Sequence, residues 1–511
     1  MRDSFWPAVL PALLISGGLA LLVERLLKPP PLACWRRPVA ALAIHLGLWL
    51  WFANVLLLLL QRPVFAASSL LAGFLFVVLV SNAKAHSLHE PFIFQDFEYF
   101  SDALRHPRLY MPFLGAARAL LSLLAFGLAI VAGLSIEDSL LTRMRSEEFL
   151  TGAATLALAG LLLIGFGARQ KLAVGFDAAA DLRRLGLLTA LWRYGEEEQL
   201  PCHPASPYEQ PACAPALAAG PATLVVVQSE SFFDPRRLFS GIRRDVLSEF
   251  DSLRTGAICH GQLQVAAWGA NTVRTEFAFL SGLSAESLGV HRFNPYRRFA
   301  RQGVATLATF LRHHGYRTIC VHPYAASFYS RHEVFPQIGF DEFIDIRAFT
   351  GAVREGPYVS DMAVAEQVAA LLEKAASQPL FVFVITMENH GPLHLERVAP
   401  GDEERFYSAV PSAGCEELTI YLRHLANADR MAGRLRAAIE ELPDPAYLCW
   451  FGDHVPIMPG VYRALGVPDG RTDYLIWCNG GFPGAPVPRE LRVEQLGGLI
   501  LQRMGLLAAR Q

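Results

Sequence analysis

The stretch "TLVVVQSE", residues 223–230, decides how the second half of the chain folds. It is a short run of apolar and β-branched residues that ends in a carboxylate, Glu230. Four later runs are also short and rich in apolar residues: "RTICVHP" (317–323), "LFVFVITMENH" (380–390), "YLCWFGDH" (447–454) and "YLIWCNG" (474–480). Continuous apolar runs that alternate with helical segments are typical of buried parallel strands. The pattern therefore predicts an α/β sheet with helices on both faces.

Ionisable residues end four of these predicted strands. Glu230 ends the first, His322 the second and His390 the third, and Asp453 and His454 end the fourth. Ligands of open α/β sheets bind outside the carboxyl ends of the strands, so we expect these side chains to converge on one site. Two carboxylates and an imidazole suit a divalent metal such as Mn²⁺ or Zn²⁺ better than a thiolate-seeking ion.

The stretch "GANTVRTEF", residues 269–277, offers two hydroxyls at the start of an apolar helical pattern. A Thr at such a position commonly caps the helix with its side-chain oxygen. It is also a position from which a nucleophile gains from the helix dipole. Taken alone, the stretch favours capping, but a position opposite Glu230, Asp453 and His454 would favour a nucleophile, and the residues leave open which Thr it would be. Arg274 either contacts a phosphate or faces solvent, and we expect it to face solvent.

The first third of the chain has the composition of a membrane domain. Of the 511 residues 52% are hydrophobic, and most of that excess lies before about residue 170. A bilayer span needs roughly 20 apolar residues. Five stretches are long enough: Phe5–Leu27, Ala40–Leu60, Val64–Asn82, Phe113–Leu134 and Phe149–Ala168. We therefore predict a transmembrane domain at 1–170, a juxtamembrane helix and linker at 171–220, and a soluble domain at 221–511.

Charge and cysteine content say less about the function than the hydrophobic pattern does. The net charge of −2 and the absence of basic runs with interleaved aromatics give no sign of nucleic-acid binding. The Lys and Arg residues cluster after the first and third spans, and by the positive-inside rule this charge count puts the soluble domain in the cytoplasm. Cys202 and Cys213 in the Pro/Ala-rich linker would close a loop in an oxidising compartment, but their pairing is not readable from sequence.

Five motifs occur in a characteristic order: "VVVQSESF", "GANTVRTEF", "HPYAASFYSR", "ITMENHGP" and "FGDH". Together they resemble the lipoteichoic acid synthase and phosphoglycerol transferase family, membrane-bound members of the alkaline phosphatase–sulfatase superfamily. The resemblance implies a bundle of about five transmembrane helices followed by an α/β domain with a mixed, sulfatase-like sheet. It also implies one divalent metal, with Mn²⁺ favoured and Zn²⁺ and Mg²⁺ as alternatives.

The resemblance assigns a role to each matching residue. It makes Thr272, four positions before the pair Glu276-Phe277, the nucleophile and leaves Thr275 as an ordinary helix residue. It makes His390 a catalytic and substrate-binding residue. The implied metal group is Glu230, Thr272, Asp453 and His454, and the implied substrate group is His322, Tyr329, Arg331 and His390. Two positions depart from the family pattern: Val273-Arg274 stands where Ser-Asp is common, and Tyr329 replaces a more usual Trp.

The function implied by the resemblance is a transfer of glycerol phosphate from phosphatidylglycerol, through a covalent phospho-threonine, to an envelope glycan or polymer. The implied location is the bacterial inner membrane with the catalytic domain on its periplasmic or extracellular face, against the charge count. The alternatives are a phosphoethanolamine transferase, a hydrolase, and a non-catalytic membrane scaffold or transporter. The sulfatase Cys/Ser-x-Pro-x-Arg motif is missing around Thr272, which argues against sulfate ester hydrolysis.

Overall fold

The computed structural model describes residues 4–99, 116–209, 222–375, 378–481 and 486–507. The chain divides into two compact units, Met1–Pro201 and Cys202–Gln511. The first unit therefore extends past the predicted transmembrane domain and takes in the helices after residue 170. The pairing of Cys202 with Cys213 stays a prediction, because Cys213 lies outside the described residues.

The first unit is helical throughout its described part. Its α-helices are α1 (Phe5–Val23), α2 (Val39–Leu60), α3 (Pro63–Leu88), α4 (Ala116–Ile136), α5 (Leu140–Arg143), α6 (Ser146–Arg169), α7 (Ala178–Leu185) and α8 (Leu187–Glu198). Four segments of the described chain are long and apolar enough to cross a membrane: Phe5–Leu26, α2, α3 and α6. The chain is accordingly a multi-pass membrane protein. The remaining predicted span begins at Phe113, outside the described residues, and α4 covers most of its remainder.

The predicted juxtamembrane helix is two helices, α7 and α8. Gly186 separates them with a φ of 82°, a left-handed value that side-chain-bearing residues rarely adopt. The N–H of Leu187 at the start of α8 donates to Glu24 Oε1 at 2.6 Å. A backbone break and a buried acceptor thus explain why the helical pattern does not continue through residue 186.

The second unit is built on a mixed sheet. Its strands are β1 (Thr223–Ser229), β2 (Cys259–Gln264), β3 (Arg317–Val321), β4 (Glu342–Ile344), β5 (Arg354–Glu355), β6 (Tyr358–Val359), β7 (Leu380–Ile385), β8 (Ala446–Gly452), β9 (Thr472–Cys478), β10 (Val487–Pro488) and β11 (Leu491–Arg492). The order is β10-β2-β9-β8-β1-β7-β3-β4, with β11 also on β2, while β5 and β6 form a separate hairpin. Strands β8, β1, β7, β3 and β4 run parallel.

Two strands differ from the sequence prediction. The run "YLIWCNG" forms β9, which is antiparallel to β8 and not part of the parallel set. Strand β2, "CHGQLQ", lacks a continuous apolar run and was not predicted; it lies between β9 and the short strands β10 and β11, outside the parallel set. The antiparallel β9 makes the sheet mixed, in agreement with the fold class that the family resemblance implies.

Helices cover both faces of this sheet. They are α9 (Ser248–Thr255), α10 (Thr272–Ser281), α11 (Ala285–Leu288), α12 (Leu307–His313), α13 (Arg331–Gln337), α14 (Asp361–Lys374), α15 (Asp402–Phe406), α16 (Glu416–Glu440), α17 (Pro459–Leu465) and α18 (Val493–Arg503). Alternate residues of β1 enter two separate cores: Val225 and Val227 pack with α14 and α16, and Leu224 and Val226 with α10 and α18. The loops at the carboxyl ends of the parallel strands stay free to build a site.

Candidate metal centre and substrate site

Glu230, Asp453 and His454 lie together at the carboxyl ends of β1 and β8. The two strands pair in parallel, with Ser229 opposite Gly452, so the residues that follow are neighbours. His454 Nε2 lies 3.5 Å from Glu230 Oε1 and 3.3 Å from Asp453 Oδ2. All three side chains are buried. One ligand atom from each lies within 4.8 Å of the others, which is close enough for one metal ion to contact all three.

The chemistry of this group fits a divalent cation. Asp453 Oδ2 is buried without a hydrogen-bond partner among the described residues. His454 Nδ1 faces the carbonyl oxygen of Val455 at 3.1 Å, which leaves Nε2 turned towards the two carboxylates. Burial, and next the Asp453 carboxylate, raise the pKa of Glu230. A cation between these groups would satisfy the orphaned oxygen and offset the charge repulsion.

Ser231 and Thr386 hold the two carboxylates in place. The Ser231 N–H donates to Asp453 Oδ1 at 2.9 Å, and its hydroxyl donates to Glu230 Oε1 at 2.9 Å. Ser231 has a φ of 55°, which turns the chain sharply after β1. Thr386 Oγ1, at the end of β7, accepts the Glu230 N–H at 2.9 Å. Neither hydroxyl was predicted from the sequence, although Ser231 stands within the motif "VVVQSESF".

Thr272 is the first residue of α10 and is not the residue that caps it. The cap position belongs to Asn271, whose φ of 64° is left-handed. Thr275, one turn later, donates from Oγ1 to the carbonyl oxygen of Asp453 at 2.8 Å. Residues three apart share a helix face, so Thr272 lies on the face of α10 that is turned towards Asp453. Thr275 is therefore a positioning residue and not merely part of the helix.

Replacing Thr275 with Val should weaken Mn²⁺ binding about tenfold, because the hydroxyl that anchors the Asp453 backbone would become a methyl group. Isothermal titration of the full-length protein with Mn²⁺ measures this. Thr255→Val is the matched control, since the Thr255 hydroxyl also donates to a backbone oxygen, that of Asp251, but at an exposed position. Equal Mn²⁺ affinities in the Thr275 variant and the wild type would contradict the assigned role.

Arg331 is fully buried and paired with Glu276. Its Nε and one terminal nitrogen contact the two carboxylate oxygens of Glu276 at 3.1 and 2.8 Å, and Tyr296 donates to the same carboxylate at 2.6 Å. The other terminal nitrogen lies 3.3 Å from His322 Nε2. A guanidinium has five N–H donors, so one remains on each terminal nitrogen for a further ligand. Glu276 stands within the motif "GANTVRTEF", but the sequence gives no sign of its pairing with Arg331.

Both ring nitrogens of His322 are occupied. Nδ1 faces the carbonyl oxygen of Ile385 at 3.1 Å, and Nε2 faces Arg331. Burial, and then the Arg331 charge, hold the pKa of His322 well below its usual value. The ring is therefore neutral, and its geometry fits an acceptor that orients Arg331 better than a group that exchanges protons.

Glu276→Gln should lower the free energy of unfolding of the second unit by about 3–5 kcal/mol, because it leaves the Arg331 charge buried without its counter-ion. Urea titration followed by tryptophan fluorescence measures the loss. The control is Glu342→Gln, which removes a partner of Arg317 from an exposed pair at 2.6 Å and should cost at most about 1 kcal/mol. Losses of the same size in both variants would show that the buried pair is not held as described.

Tyr329 lies in an unusual stretch of backbone beside Arg331. Tyr329 and Ser330 both have left-handed φ values, 54° and 53°, and the Arg331 guanidinium lies 5.2 Å from the Tyr329 ring centroid. Consecutive left-handed residues other than Gly concentrate at functional sites.

For Arg274, the sequence favoured exposure to solvent over contact with a phosphate. Instead it is 8% exposed and donates from Nε to the carbonyl oxygen of Phe293 at 2.9 Å, because α10 is buried on all sides.

His390 follows β7 and is held by its own loop. Nδ1 lies 2.7 Å from the carbonyl oxygen of Gly391 and 3.2 Å from the hydroxyl of Tyr358. Burial lowers the pKa of His390, although the contact with Gly391 and the field of Asp453 oppose that effect. The ring is neutral at neutral pH, with Nδ1 protonated and the lone pair on Nε2. Tyr358 belongs to the hairpin β5–β6, and nothing in the sequence linked it to His390.

A buried ion-pair network lies next to this loop. His424, on α16, contacts Glu388 Oε1 through Nδ1 at 3.0 Å and Glu396 Oε1 through Nε2 at 3.0 Å. Burial alone would lower the pKa of His424, but its hydrogen bonds to the two carboxylates outweigh burial and raise it to about 9. The charged imidazole thus fastens α16 to the segment that carries His390.

Stability should therefore fall as the pH rises from about 7 to 10. The pKa of His424 is raised on folding, so its contribution is complete below about pH 6.5 and is lost through about pH 9. The loss should be roughly 2–3 kcal/mol. Thermal unfolding across this pH range measures it, and His424→Gln should flatten the profile. His332→Gln, at an exposed histidine, is the control; an unchanged slope in the His424 variant would contradict the assignment.

Comparison with known proteins gives matches over both units. The sulfatase family model matches residues 222–505. The chain is 29% identical over 439 residues to the capsular polysaccharide biosynthesis protein RkpI of Rhizobium meliloti (strain 1021), covering 81% of this chain and 77% of that protein.

Two solved structures are also similar. The integral membrane lipooligosaccharide phosphoethanolamine transferase A (EptA) of Neisseria meningitidis is 13% identical, with a TM-score of 0.52, and the match covers 92% of this chain and 95% of that chain. The phosphoglycerol transferase GacH of Streptococcus pyogenes, solved with sn-glycerol-1-phosphate, is 23% identical, with a TM-score of 0.47 over 56% of this chain and 75% of that chain.

The sulfatase match and the likeness to EptA confirm the predicted fold class. The likeness to EptA runs through the membrane helices and the mixed-sheet domain. The sulfatase match spans the segment that carries Glu230, Thr272, His390, Asp453 and His454. It also includes more than half of the chain. The chain therefore belongs to the sulfatase family, as its resemblance to membrane-bound members of the alkaline phosphatase–sulfatase superfamily predicted.

Proposed function

We propose that the protein is a metal-dependent phosphoglycerol transferase that moves glycerol phosphate from phosphatidylglycerol to an envelope glycan or polymer. One observation carries the proposal. Thr272 begins a buried helix, one turn before a residue that is bound to Asp453, and Asp453 belongs to a buried group of two carboxylates and an imidazole. A hydroxyl at a helix start beside a cation site is the arrangement that activates a weak nucleophile.

The metal would be held by Glu230, Thr272, Asp453 and His454. When bound, a divalent cation lowers the pKa of a coordinated hydroxyl and offsets charge on phosphoryl oxygens. Oxygen ligands with one imidazole favour Mn²⁺, and Zn²⁺ and Mg²⁺ are the alternatives. In the first half-reaction the Thr272 alkoxide, whose proton has gone to solvent, attacks the phosphorus. The bond from phosphorus to the diacylglycerol oxygen breaks, and glycerol phosphate stays on Thr272.

His390 is the group that handles protons in both half-reactions. His390, neutral at rest, takes up at Nε2 the proton that Thr272 has released to solvent, delivers it to the departing diacylglycerol oxygen and returns to the neutral state. Neutral His390 then takes the proton of the acceptor hydroxyl through the same atom, while that hydroxyl attacks phosphorus and Thr272 leaves as the alkoxide. Because Nδ1 is engaged by Gly391 and Tyr358, Nε2 is the nitrogen available for this exchange.

Arg331, His322 and Tyr329 form the proposed substrate group. Arg331 meets the phosphoryl oxygens with its remaining N–H groups, since Glu276 and His322 occupy the others. His322 keeps the guanidinium oriented, and Tyr329 packs against it and borders the glycerol. A buried guanidinium fixed on three sides loses no side-chain entropy when the phosphate arrives.

Reconstitution of the full-length protein in liposomes with labelled phospholipids tests the donor. Diacylglycerol should appear from phosphatidylglycerol and depend on added Mn²⁺. Product formed from phosphatidylglycerol without any glycan acceptor, at an unchanged rate, would instead identify a hydrolase. Release only from phosphatidylethanolamine would contradict the proposed donor.

A phosphoethanolamine transferase is the second candidate, and the full-length likeness to EptA is the observation that favours it. The two activities share the nucleophile and the metal site and differ in the group carried by the phosphate. A non-catalytic scaffold or transporter would have no need of the buried group Glu230, Asp453 and His454. If the wild-type protein transfers nothing from either phospholipid, a scaffold or transporter is favoured.

We further propose that the protein lies in the bacterial inner membrane, with its second unit on the periplasmic or extracellular face. A lipid donor and a glycan acceptor meet there, and the name of the relative RkpI also refers to a capsular polysaccharide. The Lys and Arg distribution predicts the opposite orientation. Protease treatment of spheroplasts decides between them, because a second unit that stays protected would refute the outward orientation.

A further inference from the structure

The second unit contains a pocket beside the loop that carries His390. Its volume is about 650 Å³, within the range of small-ligand sites. It is bordered by the segment 348–353, by Glu355 of the hairpin β5–β6, by Met362 and Glu366 of α14, and by Asn427 and Arg430 of α16. Glu388, two residues before His390, also lines it.

The buried wall of the pocket is polar and already ordered. Glu388 is 1% exposed, and its carboxylate accepts from the Asp361 N–H at 2.7 Å, from His424 Nδ1 at 3.0 Å and from Asn427 Nδ2 at 2.5 Å. Arg430 donates to the Asn427 side-chain oxygen. These contacts fix the directions of an acceptor, an amide and a guanidinium before any ligand binds, which lowers the entropic cost of recognition.

The charges around the pocket select the class of ligand. Glu355, Glu366 and Glu388 contribute three carboxylates, but Glu388 is paired with the charged His424 and Glu366 with Arg434, so the pocket carries little net charge. A pocket with little net charge gives a phosphate or another anion no strong electrostatic attraction. An apolar ligand would strip water from carboxylates without replacing its hydrogen bonds. Neutral hydroxyl groups, by contrast, donate to carboxylates and accept from Arg and amide groups.

The pocket is joined to the candidate site through two short pieces of chain. The segment from Glu388 to His390 connects its polar wall to the proposed proton carrier. The hairpin β5–β6 places Glu355 in the pocket, while Tyr358 of the same hairpin contacts His390 Nδ1 at 3.2 Å. A chain of sugars in the pocket would therefore lie next to the group that receives the acceptor proton.

We propose that this pocket binds neutral sugar units of the acceptor glycan, adjacent to the unit that is modified. The inference rests on the proposed function for the role of the glycan as acceptor, but binding itself does not require the reaction. It identifies Glu388, Asn427 and Arg430 as the hydrogen-bonding wall and Met362 as part of the side on which a sugar ring would lie. Recognition is by hydroxyl groups and not by charge.

Calorimetric titration of the full-length protein in detergent tests the pocket directly. The probes are neutral glucan oligosaccharides of equal length with β-1,2 and β-1,3 linkages. Met362→Trp, which fills the pocket, should weaken glucan binding at least about tenfold. Gln367→Ala, a milder change to a lining residue, should weaken it measurably without endangering the fold. Val467→Trp, at an exposed position that is not among the lining residues, should bind as the wild type does.

Two further measurements separate this proposal from the transferase proposal. Formation of a phosphoglycerol adduct from phosphatidylglycerol should be unchanged in Met362→Trp, because the first half-reaction needs no glycan. A sulfated glucan of the same length should bind at least about tenfold more weakly than the neutral one. If neither neutral glucan binds the wild type, or if Met362→Trp binds equally well, the pocket proposal is wrong. Absence of the adduct in the wild type with intact glucan binding would refute only the transferase chemistry.

Discussion

Replacing Thr272 with alanine should abolish phosphoglycerol transfer, with a fall in kcat/KM of at least about 10³-fold. The variant keeps the helix start and the metal-holding carboxylates but removes the oxygen that attacks phosphorus. The helix itself should survive, because Asn271 occupies the cap position and Thr272 makes no capping bond in the described structure. Diacylglycerol release from labelled phosphatidylglycerol in liposomes measures the loss.

Thr272→Ser is the matched control for this prediction. It keeps a hydroxyl at the same position and should retain measurable transfer, within about 10²-fold of the wild type. Transfer by Thr272→Ala within about tenfold of the wild type would show that another group is the nucleophile. One assay with one donor therefore distinguishes the wild type, Thr272→Ser and Thr272→Ala.

Asp453→Asn should lower Mn²⁺ affinity and transfer activity by at least about 10²-fold, because it removes one of two buried negative charges that a divalent cation would neutralise. Asp453 is 0% exposed, and its Oδ2 has no hydrogen-bond partner in the described chain. Metal analysis of the purified protein and the liposome assay measure the two effects. Asp469→Asn, at an exposed carboxylate paired with Arg471, should change neither.

Metal removal gives an independent readout of the same group. A bound ion stabilises the folded state, so a chelator should lower the thermal midpoint of the wild type. The same chelator should leave the midpoint of Asp453→Asn unchanged. Without metal, the variant should be at least as stable as the wild type, because one of the two repelling carboxylates is gone. A chelator effect of equal size in both proteins would place the metal elsewhere.

The sequence predicted the sheet because its central strands are apolar on both faces. A strand that is buried on both sides cannot alternate with polar residues, so "TLVVVQSE" and "LFVFVITMENH" are recognisable without a structure. Strand β2, "CHGQLQ", lies between antiparallel β9 and two short strands and carries no such run. The antiparallel direction of β9 could not be predicted from the sequence either, because parallel and antiparallel pairing depend on the connections and not on the residues of the strand.

The strand-end pattern was informative about the site for the same topological reason. Parallel strands bring their carboxyl ends to one edge, so Glu230 lies beside Asp453 and His454 although more than 200 residues separate it from them in the chain. The supporting contacts were not predictable, because each joins elements that only the folded chain brings together. Arg274 finds the carbonyl of Phe293, and Tyr358 reaches His390 from a hairpin that has no sequence mark of function.

Intact-mass spectrometry of the full-length protein after exposure to phosphatidylglycerol and Mn²⁺, without an acceptor, tests the central claim most directly. A covalent intermediate on Thr272 predicts a gain equal to one glycerophosphoryl group on the wild type, located on the peptide that contains Thr272, and no gain on Thr272→Ala. An adduct that persists in Thr272→Ala, or an adduct formed only from phosphatidylethanolamine, would contradict it.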